Sequence, residues 1–177
     1  NDLVSRAQSA FIRTRSIHDN FLFIRGFVRR LHQTKTLTLL LKLDIEKAFD
    51  SICWDYLLDL LQRWGFSPKF RDWIAALWES SSSRVLLNGI PRDLIRLGKG
   101  LRQGDPLSPL LFVRAIERLQ QLLAKATEKG LLHQLRGRAT CIRTSLYADA
   151  TIFVAPIKED IQQLTKILAD FGVVTGL

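Results

Sequence analysis

Methionine is missing from the 177-residue sequence, and cysteine and tyrosine occur only twice each. Cys53 and Cys141 stand far apart with no CxxC or Cys/His spacing, which argues against a zinc motif and against a disulfide framework. No apolar run approaches the ~20 residues of a membrane-spanning helix. Residues 1 to 20 lack the layout of a secretory signal. Internal repeats and low-complexity linkers are absent too, so a single compact unit is expected. These absences leave a soluble intracellular protein, in cytoplasm and/or nucleus, as the expectation. Acidic residues are also scarce: 17 Asp and Glu face 26 Lys and Arg, a formal net charge of +9 and a pI near 10.1. Such a surplus directs attention to polyanionic partners.

What is present is an ordinary globular composition, 47% hydrophobic and 24% charged. The positive charge is uneven. Residues 1 to 36 carry Arg6, Arg13, Arg15, Arg25, Arg29, Arg30 and Lys35 against Asp2 and Asp19. Any one of these side chains reads equally well as part of a solvated helix face; only their collective field points to nucleic acid. The sequence begins at Asn1, contains no Met and stops at Leu177 directly after a glycine, so a portion of a longer reading frame is expected.

Residues 19 to 33 suit a helix, with Asp19 or Asn20 as N-cap and Phe21, Ile24, Phe27, Val28 and Leu31 at helical spacing. TLTLLLKL (36 to 43) reads as a short strand buried on both faces. Helices are expected at 54 to 64, closed by Gly65, and at 68 to 79, opened by Pro68. Trp54, Trp64, Trp73 and Trp78 read as core or helix-packing residues. Residues 83 to 88 and 93 to 98, divided by Gly89 and Pro91, read as a hairpin. After the basic loop GKGLRQGDP comes a helix from about Pro106 to Lys129, with Leu107, Leu110, Leu111, Ile116, Leu119, Leu122 and Leu123 as its apolar stripe and Pro109 in its first turn. Strands at 140 to 147 and 151 to 155 flank Ala148-Asp149-Ala150, and a last helix at 158 to 171 turns Ile161, Leu164, Ile167, Leu168 and Phe171 inward. The mixture gives α+β as the fold class.

Two acids occupy unusual places. Asp44 ends an apolar strand and Asp149 lies in a turn between two strands. A lone strand-end Asp most often caps a turn. Two strand-borne carboxylates on one sheet can instead hold hard cations through oxygen, as in-line phosphoryl chemistry requires. Between them, Lys99, Arg102 and the amides of Gly100 and Gly104 can face phosphates, and Gln103 can bond a sugar or base edge.

KLDIEKAFD (42 to 50), GLRQGDPLSPLLF (100 to 112) and SLYADAT (145 to 151), in this order and spacing, resemble the three central palm motifs of reverse transcriptases. QSAFIRTRSIHDN (8 to 20) resembles the fingers motif of non-LTR elements, particularly plant LINE-type ones, and VLLNG is similar as well. The resemblance covers essentially the whole chain. It implies one fingers and palm domain over residues 1–177 of a longer polyprotein, about 1–40 on the fingers side and about 41–177 mainly palm with finger insertions, the thumb missing. It implies an antiparallel palm sheet packed on helices. The implied activity is RNA-directed DNA synthesis from dNTPs, on an RNA template and a DNA primer, with two Mg²⁺ (or Mn²⁺) ions. Asp44, the Ile45 backbone carbonyl and Asp149 are the implied metal ligands. Phe49 takes the aromatic position that blocks a 2′-hydroxyl; Gln103, Arg102 and Gly104 lie toward the nucleotide, and Arg15 and Lys99 toward the template or triphosphate. Asp50 and Asp105 match motif positions, although capping roles explain them equally well.

The third motif departs from the family pattern, because Ala150 stands where the second of two adjacent aspartates belongs. Impaired metal binding and severely reduced polymerisation are therefore expected. The alternatives are a non-catalytic nucleic-acid-binding remnant and an inert degenerate fragment. Arg114 and Arg118 also replace the residues usual in the motif helix, and a buried, unpaired Arg there would cost stability.

Overall fold

The structure, a computed structural model, describes residues 16–135, 144–146 and 150–177. In chain order the elements are α1 (Ile17–Gln33), β1 (Leu39–Leu43), α2 (Ala48–Ser51), α3 (Trp54–Arg63), α4 (Pro68–Glu79), β2 (Ser82–Leu87), β3 (Ile90–Arg96), α5 (Ser108–Glu128), β4 (Thr144–Leu146), β5 (Ala150–Val154) and α6 (Lys158–Thr175). The fold is α+β with antiparallel pairing throughout, as expected from the sequence.

One sheet has the order β1-β5-β4, with Leu39 opposite Val154, Leu43 opposite Ala150 and Leu146 opposite Ala150. Side chains alternate across β5, so Ala150, Ile152 and Val154 join the main core while Phe153 turns the other way. Phe153 meets Phe27 of α1 with ring centroids 4.4 Å apart. Helix α1 thus covers one sheet face, and α3, α5 and α6 pack on the other. Leu111, Phe112, Ile116, Leu119 and Leu123 of α5 are buried in that core, each contributing ~1.5–3 kcal/mol.

Several elements depart from the sequence reading. Helix α1 begins at Ile17, and its cap is Ser16 rather than Asp19 or Asn20. Ser16 Oγ accepts from the Asp19 amide while Asp19 returns a bond to the Ser16 amide, a reciprocal capping box. Strand β1 is not buried on both faces: Leu39, Leu40 and Leu41 are exposed, and among the described residues β1 stands at the edge of the sheet, paired with β5 alone. An apolar run has the same appearance whether its strand is central or at an edge. Leu110, Leu122 and Ile161 are exposed, and so is Trp73, whose ring lies beneath Lys69.

The hairpin turns at Asn88-Gly89, both with positive φ, which is the two-residue type I′ solution that matches strand twist. Pro91 lies inside β3, not in the turn. The four-residue α2 was not foreseen; Lys47 enters it with a left-handed φ of 51°. No helix among the described residues is long and apolar enough to cross a membrane.

Candidate functional site

Asp44 is the first residue beyond β1, and it is exposed. Leu43, just before it, is paired with Ala150, so the end of β1 and the start of β5 lie side by side. Asp44, Ile45 and Ala150 line one open cavity of about 220 Å³, floored by Leu119, Leu168 and Phe171. Asp149 and Arg15 fall outside the described residues, as do Tyr147 and Ala148. Ala150 is fully buried within the main core, its methyl on the same face as Ile152. Among the described residues no group of three or more acids, histidines or cysteines converges. Asp44 and the Ile45 carbonyl offer the hard oxygen donors that a divalent cation prefers, whereas the Ala150 side chain offers none.

The second part of the site is a bracket between α2 and the loop that precedes α5. The Gly100 amide donates to Ile52 O at 2.8 Å, and the Leu101 amide donates to Phe49 O. Gly100 therefore cannot offer its amide to a phosphate, contrary to the sequence reading: its φ of +89° and its close approach to Asp50 turn the amide toward the protein. Gln103 reaches back to Asp50 Oδ1 at 3.5 Å. Phe49 is half-buried, its ring stacked on Phe112 with centroids 4.8 Å apart, so the aromatic expected beside the sugar is held by the first turns of α5.

Lys99, Gln103 and Gly104 remain exposed on the same loop. The Arg102 guanidinium is engaged with Ser81 Oγ at 2.8 Å and Leu77 O at 3.3 Å, which ties the loop to the end of α4. Asp105 caps the entry to α5, accepting from the Leu107 amide at 2.9 Å.

Trp54 is a residue that the sequence reading assigned only to packing. Its Nε1 donates to Gly100 O at 2.6 Å while its ring stacks on Trp78. Only the order in the chain, a tryptophan four residues beyond the first motif, could have pointed to it. Trp54→Phe keeps the stack and removes the donor, so a loss of ~1 kcal/mol is expected. Thermal unfolding would register it as a fall of about 2–4 °C; no change would show that the bond to Gly100 holds nothing.

Arg114 and Arg118 find partners. Arg114 is half-buried over the Trp64 ring at 4.9 Å; desolvation lowers its pKa and the nearby Glu117 charge opposes that. Arg118 donates to Gln121 Oε1 at 2.6 Å and faces Tyr56.

Burial pushes the Tyr56 hydroxyl up to about 12, with Arg118 lowering it and Asp59 raising it, and the hydroxyl donates to Ala115 O. The folded chain keeps this proton through the range in which an unfolded tyrosine, titrating near ~10, gives it up. The associated stability is complete below about pH 10 and is lost as pH rises to about 12, an effect of roughly 2–3 kcal/mol. Urea titrations at pH 9 and pH 12 should show a smaller difference for Tyr56→Phe than for the parent chain, and equal differences would exclude Tyr56 as the source.

The family model described as "Reverse transcriptase (RNA-dependent DNA polymerase)" matches residues 2–177. The chain is 32% identical over 162 residues to the transposon TX1 uncharacterized 149 kDa protein of Xenopus laevis, covering 92% of this chain and 12% of that one. It is 26% identical over 170 residues to the retrovirus-related Pol polyprotein from the type-2 retrotransposable element R2DM of Drosophila melanogaster, covering 96% and 16%. An uncharacterized mitochondrial protein of Arabidopsis thaliana is 43% identical over 68 residues, covering 37% of this chain and 56% of that one. The chain thus spans 12% and 16% of the length of the first two relatives.

Proposed function

The chain belongs to the reverse transcriptase family, with relatives in non-LTR retrotransposable elements, and from that premise we propose that it is the fingers and palm portion of an RNA-directed DNA polymerase whose chemistry is impaired at Ala150. The observation that carries the reading is the pairing of Leu43 with Ala150, which puts Asp44 and the altered third motif on one cavity. In this reading Asp44, the Ile45 carbonyl and Asp149 would hold divalent ions, Mg²⁺ or Mn²⁺. Divalent ions held there would supply activation of a 3′ oxygen and charge stabilisation for a departing pyrophosphate.

The protein's own residues position the reactants. Phe49, propped by Phe112, stands against a 2′-hydroxyl and so favours dNTPs. Gln103, oriented by Asp50, lies toward the nucleotide and the template pair, with Gly104 and Arg102 on the same loop. Lys99 and Arg15 serve the template or triphosphate side. The partners are an RNA template, a DNA primer and dNTPs.

A second reading, a nucleic-acid-binding remnant without chemistry, is favoured by Ala150 and by the net charge of +9. Primer extension on an RNA template by the Ala150→Asp chain separates the two: extension supports the polymerase reading, and RNA binding without extension by a folded chain supports the remnant.

A further inference from the structure

Helix α1 has two faces of different character. Its inner face is occupied, with Phe27 and Leu31 packed on Phe153 and Leu135. At 100° per residue, His18, Phe21, Leu22, Arg25, Arg29 and His32 fall on the opposite face, and all six are exposed. This stripe runs ~21 Å along the helix. It contains no acid; Asp19, the only acid of α1, is taken up in the capping box with Ser16. Arg25 and Arg29 stand one turn apart, an i,i+4 pair of like charges that destabilises an isolated helix. No carboxylate among the described residues pairs with either of them. Phe21 and Leu22 are 61% and 58% exposed beside these cations.

We propose that this stripe is a docking surface for single-stranded nucleic acid. Arg25 and Arg29 neutralise successive phosphates, and the Phe21 ring receives an unstacked base. A polyanion supplies the counter-charge that the helix lacks, and an exposed aromatic among arginines is the pairing that single strands use: charge along the backbone, a π-face for each base. A duplex offers phosphates but keeps its bases stacked inside, which leaves Phe21 and Leu22 without a partner. The proposal rests on the polymerase reading only in naming a polynucleotide as the anion.

The test is fluorescence anisotropy of a labelled single-stranded RNA oligonucleotide with the whole chain, titrated between about 50 and 200 mM salt. Arg25→Gln/Arg29→Gln is expected to lower the slope of log affinity against log salt by ~1.4, so that the variant loses about seven-fold less affinity across that range than the parent. Phe21→Ala should weaken binding by about five-fold or more and leave the slope unchanged. Lys125→Gln/Lys129→Gln, at the far end of α5, removes the same charge from an unrelated surface. An equal fall in slope there would mean that net charge alone is responsible, and would overturn the proposal.

Preference for anionic vesicles over RNA, or for duplex over single strand, would overturn it as well. So would a parent chain that binds no RNA. The polymerase reading is judged separately, by extension from Ala150→Asp. The substitutions at Phe21, Arg25, Arg29, Lys125 and Lys129 lie at exposed positions, and a thermal transition unchanged from the parent's shows that each of these variants is folded.

Discussion

Ala150→Asp is expected to raise template-directed primer extension about 10²–10³-fold over the parent chain, the usual worth of one preorganised electrostatic contact in a transition state. The position is fixed by register: Ala150 is paired with both Leu43 and Leu146, and it borders the same 220 Å³ cavity as Asp44. An aspartate there restores the second adjacent carboxylate without changing the strand pairing. Because the chain spans a small part of its relatives, parent and revertant are best compared with the following segment of an intact relative joined in frame. Asp44→Ala in the revertant background should return extension to the parent level.

The same substitution carries a stability signature. Ala150 is fully buried among Leu43, Ile152 and Leu119, so a carboxylate introduced there loses hydration, at a cost of roughly 2–4 kcal/mol when no cation accompanies it. Binding of Mg²⁺ to the folded form alone then recovers stability by mass action. The revertant should therefore melt lower than the parent without Mg²⁺ and gain stability when Mg²⁺ is added, while the parent responds little. A folded revertant that neither extends a primer nor responds to Mg²⁺ would overturn the reading of Ala150 as the residue that impairs the chemistry.

Gly100→Ala should be the most damaging single-methyl change in the bracket. The φ of +89° is one that L residues rarely adopt, costing ~1–2 kcal/mol, and the added Cβ would stand 2.7 Å from Asp50 O, a backbone atom that cannot swing aside. A total of about 3 kcal/mol or more is expected, seen as a fall in Tm of roughly 6–12 °C. Gly104→Ala is the matched comparison: its φ is also +89°, but no atom lies within 4 Å of the added methyl, so only the conformational cost of ~1–2 kcal/mol applies. If the two variants melt together, the contact with Asp50 has no energetic weight.

These cases also mark what the chain announces before it folds. Helices α3 and α4 were legible almost to the residue, because Gly65 and Pro68 punctuate them and their apolar positions repeat at helical spacing. The motif strings single out Asp44, Phe49 and Gln103 as candidates, since those signals are local. What stayed hidden was relational. That β1 is an edge strand depends on which strand pairs with it, and that Gly100 turns its amide inward depends on Ile52, nearly fifty positions away. Trp54 as a donor to Gly100, and Trp64 as the ring beneath Arg114, are likewise meetings between distant segments that no periodicity encodes. The capping box of α1 is encoded locally but points two ways: Asp19 suits an N-cap by residue type, while Ser16 three residues earlier is the cap and Asp19 its reciprocal partner.

Helix α2 is held from two directions. Gly100 lies against Asp50 on one side; on the other, Gly176 comes so near Ser51 that a Cβ there would stand 2.5 Å from its carbonyl oxygen, while the Cys53 amide donates to Thr175 O at 2.8 Å. These contacts close loops of about 50 and about 125 residues, the second about seven-tenths of the 177-residue sequence. Closing long loops early is entropically unfavourable, and contacts between distant positions slow folding. The segment carrying Phe49 can therefore assemble before the final turn of α6 is synthesised, but it cannot be secured on that side until then. During translation the Phe49 segment would be among the last parts to become rigid, and a ribosome pausing before residue 175 would hold a nascent chain in which that segment is still unsecured.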